Sequence, residues 1–266
     1  MVDVAHHMRT ERTAPEAPGV PVWVPDGQPV TRTPGGAANV AKNVRGLGED
    51  CSLISPYCSC GTITGYFFGS STTTKNRWYA GDELKFRFDN DVSPNPLQLY
   101  NAVQAVLEEL NQPKVKAIIL SDYGKGALTK ASTQTIINAA KRKGIITVVD
   151  PKGYDLDKYD GADWLTPNLE EAKTLGLGRD TLFMGGVRRI VMKAGPEPVM
   201  FMSKEGTSFV EVPPSKVVDP TGAGDSFIAG LTVALVRRMP AIEAIKYAIR
   251  CAQEACAHLG TYACSR

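Results

Sequence analysis

The run Asp219-Pro220-Thr221-Gly222-Ala223-Gly224-Asp225 brings together the residues best suited to chemistry, and the apolar Ser226-Phe227-Ile228-Ala229-Gly230-Leu231 follows at once. Small residues set a tight turn, and the apolar run reads as a buried helix. The amides of Gly222, Ala223 and Gly224 then lie unpaired at the first helical turn. With the helix dipole they make an anion site suited to phosphate. Glycine and alanine let a phosphate approach the backbone without a side chain in the way. Asp225 becomes a carboxylate held beside that phosphate. Simple charge logic opposes the placement, so it points to work: taking a proton from a hydroxyl, or holding a metal. Capping or charging a helix start is the structural alternative.

A second run lies upstream, at Pro34-Gly35-Gly36-Ala37-Ala38-Asn39-Val40-Ala41-Lys42-Asn43. Two glycines lead into a helix of small residues, with Asn39 and Asn43 one turn apart on one face. Asparagine both donates to and accepts from sugar hydroxyls. Together the two runs resemble the two signatures of the ribokinase-like (PfkB) carbohydrate kinases. Three further segments resemble the branch that phosphorylates D-glycero-β-D-manno-heptose 7-phosphate. They are Leu120-Ser121-Asp122-Tyr123-Gly124-Lys125-Gly126-Ala127-Leu128, Val148-Val149-Asp150-Pro151-Lys152-Gly153 and Leu165-Thr166-Pro167-Asn168-Leu169-Glu170-Glu171. The stretch from Arg12 to Pro18 is similar as well.

The resemblance implies an ATP-dependent sugar kinase that transfers a phosphoryl group to the anomeric hydroxyl of a heptose 7-phosphate. Another sugar, or a non-catalytic sugar- or nucleotide-binding relative, is the alternative. It implies Asp225 as proton acceptor, with the Gly222, Ala223 and Gly224 amides stabilising the transferring group. Asn168 and Glu171 match a pair that organises Mg²⁺ and its waters, and Glu171 doubles as a first-turn carboxylate. Asp219 matches a position that holds a monovalent cation such as K⁺ in some relatives, or it serves the turn. Lys193 and Gly195 match a strand end near the nucleotide. Asp3, Gly35, Gly36 and Asn39 match sugar contacts, and Arg87, Asp122, Lys125 and Lys152 are candidates for the sugar or its phosphate.

Composition sets limits. The chain has 266 residues, 43% hydrophobic and 22% charged, enough for one α/β domain with a substantial core. A net charge of +2 gives no global drive toward nucleic acid or membrane. No apolar stretch is long enough to span a bilayer, and no signal peptide is visible, so a cytoplasmic protein with its six cysteines reduced is expected. Cys58-Ser59-Cys60 is the one tight pair, without a matching Cys/His pair to complete a zinc site.

The elements that must position these residues alternate. Residues 20–24, 52–54, 117–121, 145–149, 190–193, 199–202 and 208–212 read as strands. Residues 37–45, 97–110, 130–143, 170–175, 222–238 and 241–258 read as helices. Alternation of this kind predicts a doubly wound, mostly parallel sheet flanked by helices, and ligands there bind beyond the strand carboxyl ends. Asp122, Asp150 and Asn168 all fall at such ends. Residues 74–79 and 84–88 break the pattern and read as a β-hairpin, with Lys85 and Arg87 on one side and Phe86 and Phe88 on the other. A solvated basic face over a packed aromatic one is the plain expectation. The resemblance implies a lid from residues 20–33 and 72–90 that closes over the sugar and pairs two subunits. It also implies a single kinase domain over residues 1–266 that lacks the first core strand, because Asp3 already matches the end of that strand.

Overall fold

The computed structural model describes residues 1–14, 16–57, 65–177 and 186–265. Its larger sheet has the order β13-β12-β11-β10-β9-β8. Four strands run parallel: β8 (Ala117–Ser121), β9 (Ile146–Asp150), β10 (Trp164–Leu165) and β11 (Arg189–Ala194). Two antiparallel strands, β12 (Glu197–Ser203) and β13 (Gly206–Val210), finish it. Val148, Val149, Leu165, Ile190 and Val191 are all fully buried, as expected where helices cover both faces of a sheet.

The helices follow from local chemistry. In α2 (Pro96–Glu109) and α3 (Lys130–Arg142) the residues Asn95 and Thr129 close capping boxes with Gln98 and Ser132. Helix α4 (Leu169–Thr174) starts the same way from Asn168 and Glu171. By contrast α5 (Ala223–Val236) is apolar on every side, and each residue from Asp225 to Ala234 is buried. A helix of that composition must be enclosed. It packs against α1 (Ala37–Gly46), α6 (Ala241–Cys256) and the sheet. This is the expected doubly wound α/β arrangement, and the helices expected from sequence occur in the expected order.

A smaller sheet includes the segments expected to form a lid, in the order β2-β1-β6-β7 with β3 also on β1. It consists of β1 (Val2–Ala14), β2 (Ala17–Pro25), β3 (Thr31–Pro34), β6 (Thr74–Ala80) and β7 (Glu83–Asn90). The hairpin β6–β7 was expected, and β1 was not. Its polar residues carry no clean alternation, and it is a strand because β2, β3 and β6 pair with it. The hairpin departs from the sequence expectation on its aromatic side: Phe86 and Phe88 are 55% and 56% exposed, while Lys85 and Arg87 are solvated as expected. On β6, Lys75 and Arg77 turn inward, Arg77 onto buried Asp3.

Two short strands, β4 (Leu53–Ser55) and β5 (Gly65–Phe67), pair separately. Among the described residues the larger sheet ends at β8. An apolar cavity of about 540 Å³ has residues of both β4 and β8 in its wall, with Val40, Val103, Val106 and Val233. Cys58 and Cys60 lie outside the described residues.

The chain's last residues brace α1. A Cβ added at Gly46 would lie 2.1 Å from the Cys264 carbonyl oxygen, which belongs to backbone and cannot rotate away. Gly46→Ala is therefore expected to destabilise the fold by about 1–3 kcal/mol in urea denaturation. An unchanged midpoint would show that this contact bears no stability.

Candidate active site

Asp225 lies in the first turn of α5, after Gly222, whose φ of 83° is one that L side chains rarely adopt. That conformation brings the chain sharply into the helix. A Cβ at Gly222 would also meet Asn39 Nδ2 at 2.8 Å. Asp225 is 5% exposed. Asn39 Nδ2 donates to its Oδ2 at 2.9 Å, and the Tyr123 hydroxyl donates to its Oδ1 at 2.5 Å. Burial pushes the Asp225 carboxyl up to about 6; the two donors oppose this, and the nearby Asp150 and Asp3 add to it.

Asn39 is itself fully buried in α1. One turn on, Asn43 donates to the Asn39 carbonyl at 2.9 Å and accepts from the Cys264 amide at 2.9 Å. The two asparagines thus join α1 to α5 and to the final segment. Beside them Gly35 and Gly36 lead into α1. A Cβ at Gly35 would lie 2.1 Å from Asp3 Oδ2, and one at Gly36, φ 57°, would lie 3.1 Å from the Tyr123 ring. The paired glycines make room for these two side chains.

The strand ends supply the remaining groups. Lys193, on β11, donates to Asp150 Oδ1 at 2.8 Å, and its Nζ lies 3.6 Å from where a Gly224 Cβ would be. Burial raises the Asp150 carboxyl, and Lys193 opposes it. Asp122 is buried and holds the Lys158 ammonium, the Tyr159 hydroxyl at 2.7 Å and the Gly124 amide at 2.8 Å. The sequence-predicted Asp3, Gly35, Gly36, Asn39, Lys193, Gly222, Ala223, Gly224 and Asp225 therefore share one centre.

Other candidates are engaged nearby or elsewhere. Lys152 donates to Glu171 at 2.9 Å, Lys125 pairs with Asp91, and Arg87 grips Asp89 at 2.6 and 2.8 Å. Gly195 sits in the β11–β12 turn with open space around it. Asp219 accepts the Thr221 and Gly260 amides, both at 2.8 Å, which is the turn role. Sequence reading gave no role to Tyr123 or Asp150. Tyr123 and Asp150 lie within segments already singled out, and their position at strand carboxyl ends was the available signal.

The donor set limits which metal the site could hold. Among the described residues no three His, Cys, Asp or Glu side chains converge. Asn168 and Glu171 cap α4 reciprocally, at 2.8 and 2.9 Å. One carboxylate and one amide fit Mg²⁺ that keeps its waters and takes phosphate oxygens, rather than an all-protein cage.

The pfkB family carbohydrate kinase model matches residues 91–266, a segment that includes α5 and Asp225. The chain belongs to the pfkB family of carbohydrate kinases. It is thus a phosphotransferase with an alcohol group as acceptor. Among curated relatives, the bifunctional protein HldE of Methylobacillus flagellatus is 32% identical over 271 residues, covering 90% of this chain and 54% of the relative. HldE of Proteus mirabilis is 33% identical over 293 residues, covering 98% and 59%. The chain thus spans little more than half the length of these relatives. In fold, it is similar to phosphofructokinase-2 from Escherichia coli in complex with potassium, at TM-score 0.78 and 20% identity over 99% of this chain and 93% of that one. Ribokinase from Thermotoga maritima gives TM-score 0.69 and 20% identity over 98% and 91%. No helix among the described residues is long and apolar enough to cross a membrane.

The Asp225 shift has a sign. The folded state holds its proton more tightly than the unfolded chain, so its contribution to stability is complete below about pH 4 and is lost as pH rises through about 6. Asp225→Asn does not titrate. The variant should gain on the wild type by up to about 3 kcal/mol between pH 4 and pH 7 in urea denaturation. Parallel stability curves would show an ordinary carboxyl.

Proposed function

We propose that this pfkB-family protein is an ATP-dependent kinase of a heptose 7-phosphate, transferring the γ-phosphoryl group to the anomeric hydroxyl. The observation that carries the kinase part is the buried Asp225 carboxylate at the first turn of α5, next to the Gly222 turn and the Lys193 ammonium. In this reading Asp225 accepts the hydroxyl proton. Its raised carboxyl suits a base working near neutrality. The amides of Gly222, Ala223 and Gly224 donate to the transferring group. Positioning and charge stabilisation carry phosphoryl transfer, so little covalent chemistry falls to the protein.

Lys193, with Asp150 fixing its ammonium, stands at the nucleotide phosphates. Mg²⁺, held through water by Asn168 and Glu171, would neutralise phosphate charge. Asp3, Gly35, Gly36 and Asn39 form the sugar side. The heptose 7-phosphate assignment draws on the resemblance of the segments around Asp122, Lys125 and Lys152, and on the inward basic face of the lid. Lys75, Arg77 and Arg87 suit an acceptor that already carries a phosphate. A K⁺ role for Asp219 competes with its two amide bonds, which favour the turn. The exposed aromatic face at Phe86 and Phe88 favours a second copy against the lid.

A second reading is a relative that binds but does not turn over. The outer edge of β8 and the apolar cavity beside it favour that reading. ADP release with Mg-ATP separates the two. Heptose 7-phosphate is expected to give kcat/KM at least about tenfold above ribose, fructose and fructose 6-phosphate, a margin of about 1.4 kcal/mol. Preference for another sugar would overturn the heptose assignment. ATP binding without turnover on any sugar would favour the second reading.

A further inference from the structure

We propose that Tyr123 is a positioning residue for Asp225, its hydroxyl fixing one carboxylate oxygen and its ring tying that grip to the lid and to the Gly36 turn. The proposal rests on the reading of Asp225 as the base. Tyr123 follows β8 by two residues and crosses the site. Its hydroxyl donates to Asp225 Oδ1 at 2.5 Å while Asn39 holds Oδ2 from the opposite element. Two donors, one per oxygen, fix the plane of the carboxylate. Each oxygen keeps a lone pair for an acceptor hydroxyl.

The ring has its own contacts. The ring crowds Gly36, where a Cβ would lie 3.1 Å from it. The Lys75 ammonium of lid strand β6 stands 5.4 Å from the ring centroid, within cation–π reach. Lys75 is half-buried there, and burial pulls its pKa down. The lid, the glycine pair and the base therefore meet at one side chain. An anionic acceptor that draws on Lys75 would act on the residue that aims the base.

Every element around Asp225 contributes a group. Asn39 comes from α1, Tyr123 from the turn after β8, Asp150 from β9 and Asp3 from β1. Asp150 is paired with Lys193 of β11, and Asp3 with Arg77 of β6. Only Tyr123 and Asn39 bond Asp225 directly among these, and both favour its ionised form. Burial and the two neighbouring carboxylates pull the other way.

Tyr123→Phe keeps the ring, its seat on Gly36 and its face toward Lys75, and removes the hydroxyl alone. The acidic limb of kcat/KM against pH, measured with Mg-ATP and the best acceptor, should move up by about one pH unit, as loss of a hydrogen bond to the charged form requires. A limb that stays in place, with any change confined to rate, would make Tyr123 merely structural. A ¹³C titration of the Asp225 carboxyl in both proteins needs no turnover. There the midpoint should rise in Tyr123→Phe, and coincident midpoints would overturn the proposal. Absence of turnover in the wild type would count against the kinase reading alone, because the carboxyl titration still decides the role of Tyr123.

Discussion

The bond from Asn39 to Asp225 is the constraint on which the site depends. It is buried, it spans 186 positions of sequence, and it joins the helix after the paired glycines to the helix after the Gly222 turn. A buried carboxylate without donors is costly, so this bond and the one from Tyr123 are what make Asp225 tolerable at the centre of the fold. Asn43 donates to the Asn39 carbonyl one turn back and accepts from the Cys264 amide. The final segment, whose carbonyl at Cys264 packs onto Gly46, thus belongs to the support of the site.

Charge pairing separates Asp225 from its neighbours. Asp3 has Arg77, Asp122 has Lys158, Asp150 has Lys193 and Glu171 has Lys152. Asp225 is held by an amide and a phenol instead. Neutral donors satisfy a carboxylate without the full stabilisation that an adjacent cation gives its charge. Burial lifts the Asp225 carboxyl to about 6 against the pull of these two donors, and it raises Asp150 as well, against Lys193. Lys193, beside the α5 start, is fixed by Asp150 rather than by Asp225, which in the proposed reading leaves Asp225 free for a hydroxyl.

Much of this was legible in the sequence, because glycines with adjacent carboxylates and strand–helix alternation are local signals. The Gly222-Ala223-Gly224-Asp225 turn, the paired glycines and the carboxyl-end placement of Asp122, Asp150 and Asn168 needed no partners to be seen. Asn39 read as a sugar contact, and its grip on Asp225 was invisible because nothing local links the two positions. The ion pairs of Lys125 and Lys152 depend on segments brought together by the fold, whereas Arg87 pairs with Asp89 two residues along the same strand. Strand β1 escaped because its sequence lacks alternation and its structure is imposed by three neighbours. That Lys75 and Arg77 turn inward was a matter of which side of the smaller sheet faces the rest of the fold, which period-two patterning cannot tell.

Single-turnover phosphoryl transfer by Asp225→Asn, with ATP affinity measured on the same protein, tests the central claim most directly. The substitution preserves volume and removes the proton acceptor, so transfer should slow by about 10²–10⁴-fold with ATP affinity retained. Undiminished transfer would contradict the assignment of Asp225 as the base, and would leave it a buried strut between α1 and α5.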